Sequence, residues 1–342
     1  MNPLDLVVKH GQECIKKTPL ILLGSGASAA YGIPGMWPLG EKLSEAPLPP
    51  TLDDKEIASW NRFLDVLPKT NLEQALTEVP LSTRLTRHVV ETTWDYLNEF
   101  DLAVFEKVCF DRQYLALTKL FRFLFQSTVK EINVVTPNYD RLAEYAANAN
   151  GYSAYTGFSF GMIAQRAAGS VPRVFEGAAQ ARTVNVWKVH GSFGWFSDLS
   201  GVIVAVPPMH KRPAGMDPII ITPGIEKYQR THDEPFRTIM HCADRSMLSA
   251  TGFLCIGYGF NDRHLQTQLV ERCQNDASPL VLLTQKISDP AHELLKSGKC
   301  RQYLALEQNG NATKIYCNEI PNGTEIPESN FWMLDGFLKL IM

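Results

Sequence analysis

The chain lacks the excess of positive charge that nucleic-acid-binding proteins carry. Of its 342 residues, 33 are Lys or Arg and 36 are Asp or Glu, which gives a formal net charge of -3. Proteins that bind nucleic acid neutralise its phosphates with clustered basic side chains. We therefore expect no direct binding to nucleic acid.

Long apolar runs are missing as well. A membrane-spanning helix needs about 20 consecutive apolar residues, and no stretch of this sequence approaches that length. The N-terminal segment also carries no signal-peptide core. We expect a cytoplasmic protein without membrane contact, and its 45% of hydrophobic residues suffice for one sizeable core or two small ones.

Paired cysteines are the third absence. The seven cysteines are scattered singly along the chain, and no CxxC spacing occurs. An odd number without a framework is typical of a reduced cytosolic protein. A structural zinc ribbon needs CxxC twice over. We therefore expect no metal.

A short apolar run followed by glycines stands out near the N-terminus. Leu20 to Leu23 is too short for an independent helix and predicts a buried strand, which Gly24-Ser25-Gly26 follows as a tight turn. Small residues from Ala27 to Tyr31 predict a helix start. Such a turn cradles phosphate, because glycines allow close approach and free N–H groups point at the anion. Alternatively, the turn only needs flexibility.

Strand and helix patterns alternate along the rest of the chain. Buried strands are predicted at Ile132–Thr136, Val184–Val189, Gly252–Tyr258 and Leu280–Thr284, the last of these being the final core strand. This alternation predicts an α/β fold, a doubly wound, mostly parallel, Rossmann-like sheet in one domain over 1–342. A helical insertion is predicted at about 45–125. It is a cap over the site, an oligomerisation platform, or a packed helical layer with no specific role.

Polar residues follow several of the predicted strands. Asn138 and Asp140 come after the strand that ends at Thr136, and His190-Gly191 follows Val189. Ligands collect beyond the carboxyl ends of parallel strands, so these positions suit functional side chains. Alternatively, Asn138 and Asp140 only cap the next helix, and His190 has no role beyond the structure.

Four fragments, taken in order, resemble the sirtuin family. Gly24 to Ser28 followed by Gly32-Ile33-Pro34 is similar to its GAGxS turn and GIP loop, and Thr136-Pro137-Asn138-Tyr139-Asp140 is similar to TQNxD. His190-Gly191 resembles the catalytic HG segment, and Gly257 to Asp262 stands where sirtuins carry GTS. The four fragments span nearly the whole chain.

The resemblance implies a site for NAD. Asn138 would hold the ribose or a water, Asp140 would order the loop on the nicotinamide side, and His190 would act on the ribose hydroxyls or the water. The residues implied to bind NAD are Gly24, Ser25, Gly26, Ala27, Ser28, Ile33, Pro34, Thr136, Gly257, Tyr258, Asp262 and Thr284.

Departures from the family pattern bear on the activity. Gly35-Met36-Trp37 replaces a segment with a Phe-Arg pair, Pro137 replaces a glutamine, and the zinc ribbon of the deacylases is missing. In these respects the chain resembles bacterial sirtuin-like effectors of antiphage defence, which consume NAD. We expect an NAD glycohydrolase; the alternatives are an NAD-dependent protein deacylase and a non-catalytic sensor of NAD or ADP-ribose.

Regulation is expected to come from outside the catalytic core. The sheet and its insertion account for nearly all of the sequence, so we expect a homo-oligomer and a regulatory protein partner. Candidate contact residues are Trp60, Phe63 and Trp94 in the insertion and the apolar segment 331–334. The alternative is that these aromatic residues fill the chain's own core.

Overall fold

A nine-stranded sheet forms the centre of the computed structural model. The structure describes residues 2–167, 172–222, 224 and 233–342, with only the backbone described for residues 263 and 264. The strands lie in the order β15-β14-β13-β12-β11-β1-β2-β7-β3. Their bounds are β1 Leu20–Leu23, β2 Glu131–Thr136, β3 Ser153–Tyr155, β7 Thr183–Lys188, β11 Phe253–Ile256, β12 Leu280–Thr284, β13 Tyr303–Asn309, β14 Ala312–Cys317 and β15 Ile320–Ile326.

Two apolar cores lie on the two faces of this sheet. One contains Ile21 and Val134 with the helices α1, α7, α8 and α12, and the other contains Leu22 and Val135 with α9, α10 and α11. The alternation of side chains along each strand fills both cores. The helices are α1 Pro3–Lys16, α7 Ala116–Leu124, α8 Leu142–Ala149, α9 Phe236–Leu248, α10 Arg263–Asn275, α11 Asp289–Lys296 and α12 Leu334–Ile341.

The predicted doubly wound, mostly parallel sheet is confirmed, but its extent was underestimated. All neighbours from β13 to β3 are parallel, whereas β14 and β15 join antiparallel at the other edge. The prediction that Leu280–Thr284 is the last core strand is wrong. The edge strand β15 has no fully buried residue, so its sequence lacks the alternation of apolar and polar residues that predicts a strand.

The predicted helical insertion consists of α3 to α6 and continues into α7. Its helices are α3 Met36–Glu45, α4 Asp54–Val66, α5 Leu72–Glu78 and α6 Thr83–Phe110. The short helix α2, Ser25–Ala29, precedes the insertion. Asp53 and Glu56 form a capping box at the start of α4, and the Ser82 hydroxyl caps α6. Pro68 lies between α4 and α5, and Pro80 lies between α5 and α6.

The insertion packs on a second, four-stranded sheet. This sheet has the order β10-β8-β9-β4, formed by β4 Ala164–Gln165, β8 Gly191–Ser197, β9 Ile203–Ala205 and β10 Asp217–Ile220. A further short hairpin pairs β5 Phe175–Glu176 with β6 Ala179–Gln180. The Trp94 indole donates a hydrogen bond to the Phe193 carbonyl at 2.9 Å. The small sheet and the insertion therefore form one packed unit.

The aromatic residues proposed for an oligomer contact are buried in this unit. Trp60, Phe63 and Trp94 are at most 2% exposed and belong to the core between the insertion and β8. Their exposure was wrongly predicted, because spacing alone does not show which face of a helix the next layer covers. In the tail, Phe331 and Trp332 are half-buried and Leu334 is buried.

The glycines after β1 and β11 hold the centre of the fold together. A Cβ on Gly257, whose φ is +56°, would lie 2.2 Å from the Ala27 nitrogen, and one on Gly24 would lie 2.3 Å from the Gly257 carbonyl oxygen. Real Cβ contacts are not this short. The two turns therefore cross at a separation that only glycine permits.

We predict that Gly257→Ala destabilises the protein far more than Gly310→Ala. Both glycines have nearly the same positive φ, +56° and +55°, but a Cβ on Gly310 meets nothing within 4 Å. Both variants carry the left-handed penalty of about 1–2 kcal/mol, and Gly257→Ala adds an overpacking cost of about 1–3 kcal/mol. Denaturant unfolding measures the free energy of unfolding of both variants. An equal loss of stability in the two would contradict the close crossing of the turns.

Candidate active site

The carboxyl ends of β1, β2, β7 and β11 meet around one cavity of about 670 Å³. The chain leaves β1 for β2 on one side of the sheet and later returns to β11 on the other, so the strand order reverses between β1 and β11. Such a switch point opens a crevice in doubly wound sheets. The segments after all four strands contribute residues to the cavity.

The glycine turn packs against the segment after β11, a structural role that the sequence did not indicate. The Gly26 N–H donates to the Gly257 carbonyl at 3.1 Å, and the Ala27 N–H donates to the Gly24 carbonyl at 3.0 Å. These two donors are therefore already used. The turn differs from the expected cradle of free N–H groups, because its glycines are required for the crossing with the segment after β11.

Asn138 is fixed to this turn by its side chain. Its amide group donates to the Gly24 carbonyl and to the Ser28 hydroxyl, both at 2.9 Å. The Thr136 hydroxyl accepts the Asn138 backbone N–H at 3.0 Å and donates to the Leu23 carbonyl at 2.9 Å. The end of β2 is thereby joined to the end of β1, and the Asn138 side chain has one orientation.

Asp140 continues the same hydrogen-bond chain. The Ser28 hydroxyl donates to Asp140 Oδ2 at 2.6 Å, and the buried Lys188 ammonium donates to the Asp140 carbonyl oxygen. Burial raises the pKa of the Asp140 carboxyl, while the Lys188 charge and the Ser28 hydrogen bond act to lower it. Asp140 orders the loop between Asn138 and α8.

A buried ion pair connects this loop to the insertion. Asp101 on α6 accepts the Arg141 backbone N–H at 2.7 Å and the Arg141 Nε–H at 2.8 Å, and the Tyr145 hydroxyl donates to it at 2.6 Å. Asn98 accepts a further bond from Arg141 at 2.7 Å. Removing one partner of a buried pair leaves an uncompensated charge. The loop and α6 are therefore coupled.

His190 lies between the two sheets, directly after β7. Its carbonyl accepts the Ile221 N–H at 2.8 Å, and Gly191 has φ +96° with a Cβ position 2.2 Å from the Ile219 carbonyl oxygen. Glycine is therefore required after the histidine. On the cavity side, His190 Nε2 lies 3.2 Å from Asp262 Oδ2.

The structure brings most, but not all, of the candidate residues to the cavity. Those that line it are Gly24, Ser25, Ser28, Ile33, Pro34, Asn138, Asp140, His190, Tyr258 and Asp262. Gly26, Ala27, Thr136 and Gly257 support the wall from behind through backbone contacts and hydrogen bonds. Thr284 is not in the wall; its hydroxyl donates to the Lys286 carbonyl at 3.0 Å.

The insertion supplies a wall that sequence reasoning did not identify. Residues from α3, α5 and α6 and from the segment before α5 line the cavity, namely Met36, Leu39, Asn71, Glu73 and Leu97. The insertion therefore lies over the cavity, which agrees with a function as a cap over the site. Of these five residues, the sequence indicated only Met36, as part of the departure Gly35-Met36-Trp37. Asn71 caps α5, because its side chain accepts the Gln74 N–H at 2.9 Å.

The one group of potential metal ligands in the part of the chain that the structure describes lies outside the cavity wall. It is formed by His10, Cys317 and Glu319. His10 Nε2 lies 2.9 Å from Glu319 Oε2, so these two side chains already pair. Within the same residues, no helix has the length and apolar character needed to cross a membrane.

Comparison with solved structures finds matches of low similarity, including three structures of Sir2 proteins. A Sir2 enzyme from a study of mechanism and regulation is 16% identical, with a TM-score of 0.39 over 83% of this chain and 88% of that chain. A mutant Sir2 homologue with 2'-O-acetyl ADP ribose is 14% identical, with a TM-score of 0.39 over 85% and 88%. A Sir2 homologue–NAD complex is 14% identical, with a TM-score of 0.43 over 82% and 84%.

The family model gives the assignment, because these structural scores are low. Comparison with curated proteins finds no match. Residues 132–303, half of the chain, match the model of the SIR2-like domain. This segment contains Asn138, Asp140, His190 and Asp262, and the glycine turn precedes it. The chain therefore belongs to the family of SIR2-like domains.

Proposed function

We propose that the protein is an NAD glycohydrolase that cleaves the bond between nicotinamide and ribose. The observation that carries the proposal is the convergence of Asn138 and His190, from the ends of β2 and β7, on one cavity at the switch point of the sheet. NAD as the substrate is supported by family membership. A Sir2 homologue in the same comparison was solved with NAD.

The charges in the cavity fit this reaction. The ionisable side chains in the described part of its wall include the acids Glu73, Asp140 and Asp262, and no Lys or Arg is among the described lining residues. When the glycosidic bond breaks, its electron pair moves to the nicotinamide nitrogen and positive charge develops on the ribose. Carboxylates near that charge lower the barrier. The pyrophosphate would then depend on hydroxyls and on backbone N–H groups other than those of Gly26 and Ala27, which are already used.

The remaining step is the addition of water to the ribose. Asn138, fixed by Gly24 and Ser28, orients the ribose or the water. His190 accepts the proton that the water loses as its oxygen bonds to the ribose carbon. Imidazole suits this role because its ordinary pKa lies near neutrality. The products are nicotinamide and ADP-ribose, and Asp140 maintains the loop that carries Asn138.

Asn138→Ala and His190→Ala are each expected to lower the rate of NAD hydrolysis by roughly 10²- to 10⁴-fold or more. Asn148→Ala and His241→Ala remove the same side-chain types at exposed positions and serve as matched controls. Thermal melts check that every variant is folded. Wild-type turnover by either folded site variant would contradict the assignment of that residue.

Product analysis tests the reaction itself. The purified protein is incubated with NAD, with and without an acetylated peptide, and the products are separated by chromatography. We expect nicotinamide and ADP-ribose in equal amounts, at a rate that the peptide does not change. Products that require the peptide would establish a deacylase, and binding of NAD without turnover would establish a sensor.

We further propose that the enzyme acts in antiphage defence as a homo-oligomer with a regulatory protein partner. Uncontrolled loss of NAD is toxic, so the activity requires restraint. Trp60, Phe63 and Trp94 are buried and are not available for a contact between chains. The exposed apolar residues of the loop before β4 are therefore the better candidates for that contact. Met162 and Ile163 in that loop are each 73% exposed, and β4 is an edge strand of its sheet.

Light scattering over a dilution series is expected to give a mass above the 38.3 kDa of one chain. Ile163→Asp should lower that mass, because it places a charge in an apolar contact. Ile57→Asp, at another exposed apolar position, is the control. A monomer at every concentration would refute self-association. NAD turnover measured with and without co-expressed neighbouring proteins tests the partner.

A further inference from the structure

We propose that Asp262 is the positioning residue for His190, so that the two side chains act as one carboxylate–imidazole pair. This inference rests on the proposed function of His190 as a base. His190 Nε2 lies 3.2 Å from Asp262 Oδ2, and both residues line the cavity while being only 8% and 7% exposed. A pair this close and this buried is screened weakly by solvent.

The backbone before Asp262 is held in an unusual conformation. Phe260 has φ +54°, a left-handed value that a bulky side chain rarely adopts, and it follows Gly257 at φ +56°. Phe260 is 1% exposed and packs edge-on against Tyr258, with 4.9 Å between ring centroids. The Ser288 hydroxyl donates to the Gly259 carbonyl at 2.5 Å. Strain of this kind persists where surrounding contacts determine the backbone, and it concentrates at functional sites.

The carboxylate of Asp262 also stands at the start of a helix. The Gln266 N–H donates to the Asp262 carbonyl at 3.1 Å, which places Asp262 directly before α10. Negative charge is stabilised at a helix N-terminus. The helix start and a protonated His190 therefore both favour a negative charge on Asp262, against the effect of its burial.

An ionised Asp262 changes what His190 does. The structure shows the two atoms at ion-pair distance, 3.2 Å apart, and not in a hydrogen bond through Oδ2. In the proposed pair the carboxylate turns to accept the Nε2 proton, fixes the tautomer and ring orientation, and leaves Nδ1 to take a proton from the attacking water. It also stabilises the imidazolium that results, which makes the ring a stronger base. The other titratable groups in the described wall of the cavity are Glu73, Tyr139, Asp140 and Tyr258, and Lys188 lies behind Asp140.

Two simpler roles for Asp262 are a helix cap and a contact to the substrate. Asp262→Asn separates these roles from the proposed one, because Asn caps helices about as well as Asp but carries no charge. Asp262→Ser, which also retains capping ability, is the second variant in case the first unfolds. Asp53→Asn removes the charge from a helix cap far from the cavity, at the start of α4, and is the matched control.

The first measurement follows the imidazole itself. In NMR titrations of the full-length protein, with the His190 signal assigned by its loss in His190→Gln, Asp262→Asn should lower the His190 pKa by about 1 unit or more. Asp53→Asn should leave it unchanged. An unchanged His190 pKa in Asp262→Asn would overturn the pair. This readout needs no turnover, so it decides the inference even if NAD proves not to be the substrate.

The second measurement follows the reaction. For Asp262→Asn we expect kcat to fall by roughly 10²- to 10⁴-fold, and the acidic limb of the pH profile of kcat to move to lower pH, because the base loses its carboxylate. Asp262→Glu should restore part of the activity. A rise in KM with kcat and the pH profile unchanged would show a substrate contact only and would refute the positioning role.

Discussion

The site depends on the backbone crossing of two glycine turns. Gly24 and Gly26 after β1 pass so close to Gly257 after β11 that a Cβ on any of the three would lie 2.8 Å or less from the opposing backbone. The crossing brings the ends of two central strands together at the switch point of the sheet. From this one contact follow the position of Ser28, which holds Asn138 and Asp140, and the direction of the chain toward Asp262.

Much of the fold and part of the site could be predicted from the sequence. The central strands are short apolar runs, and the polar residues that follow them lie at the cavity, as Asn138 and His190 do. An apolar strand and the polar residue that follows it are neighbours in the sequence, so a local sequence pattern predicts both. The antiparallel edge formed by β14 and β15 was missed, because its strands are half-polar and only their partners show that they belong to the sheet.

What the sequence could not show were contacts between distant segments. Asp262 lies 72 residues after His190, and nothing in either segment indicates that Nε2 and Oδ2 approach to 3.2 Å. Likewise, Trp60 on α4 and Trp94 on α6 lie on apolar faces of two separate helices, but only the cluster that they form with β8 shows that these faces are buried. Position in the sequence predicts which strand end a residue occupies, not which side chain it meets there.

The insertion is linked to the loop that carries Asn138 and Asp140. α6 provides Leu97 to the cavity wall and Asp101 to the ion pair with Arg141, the residue next to Asp140. Because Asp101 is fully buried and holds both the backbone and the side chain of Arg141, a shift of α6 must move the loop or break the pair. Breaking it is costly, so the position of α6 is coupled to that of the loop. For the regulatory partner that we propose, a contact on the insertion would therefore have a physical route to the loop that carries Asn138.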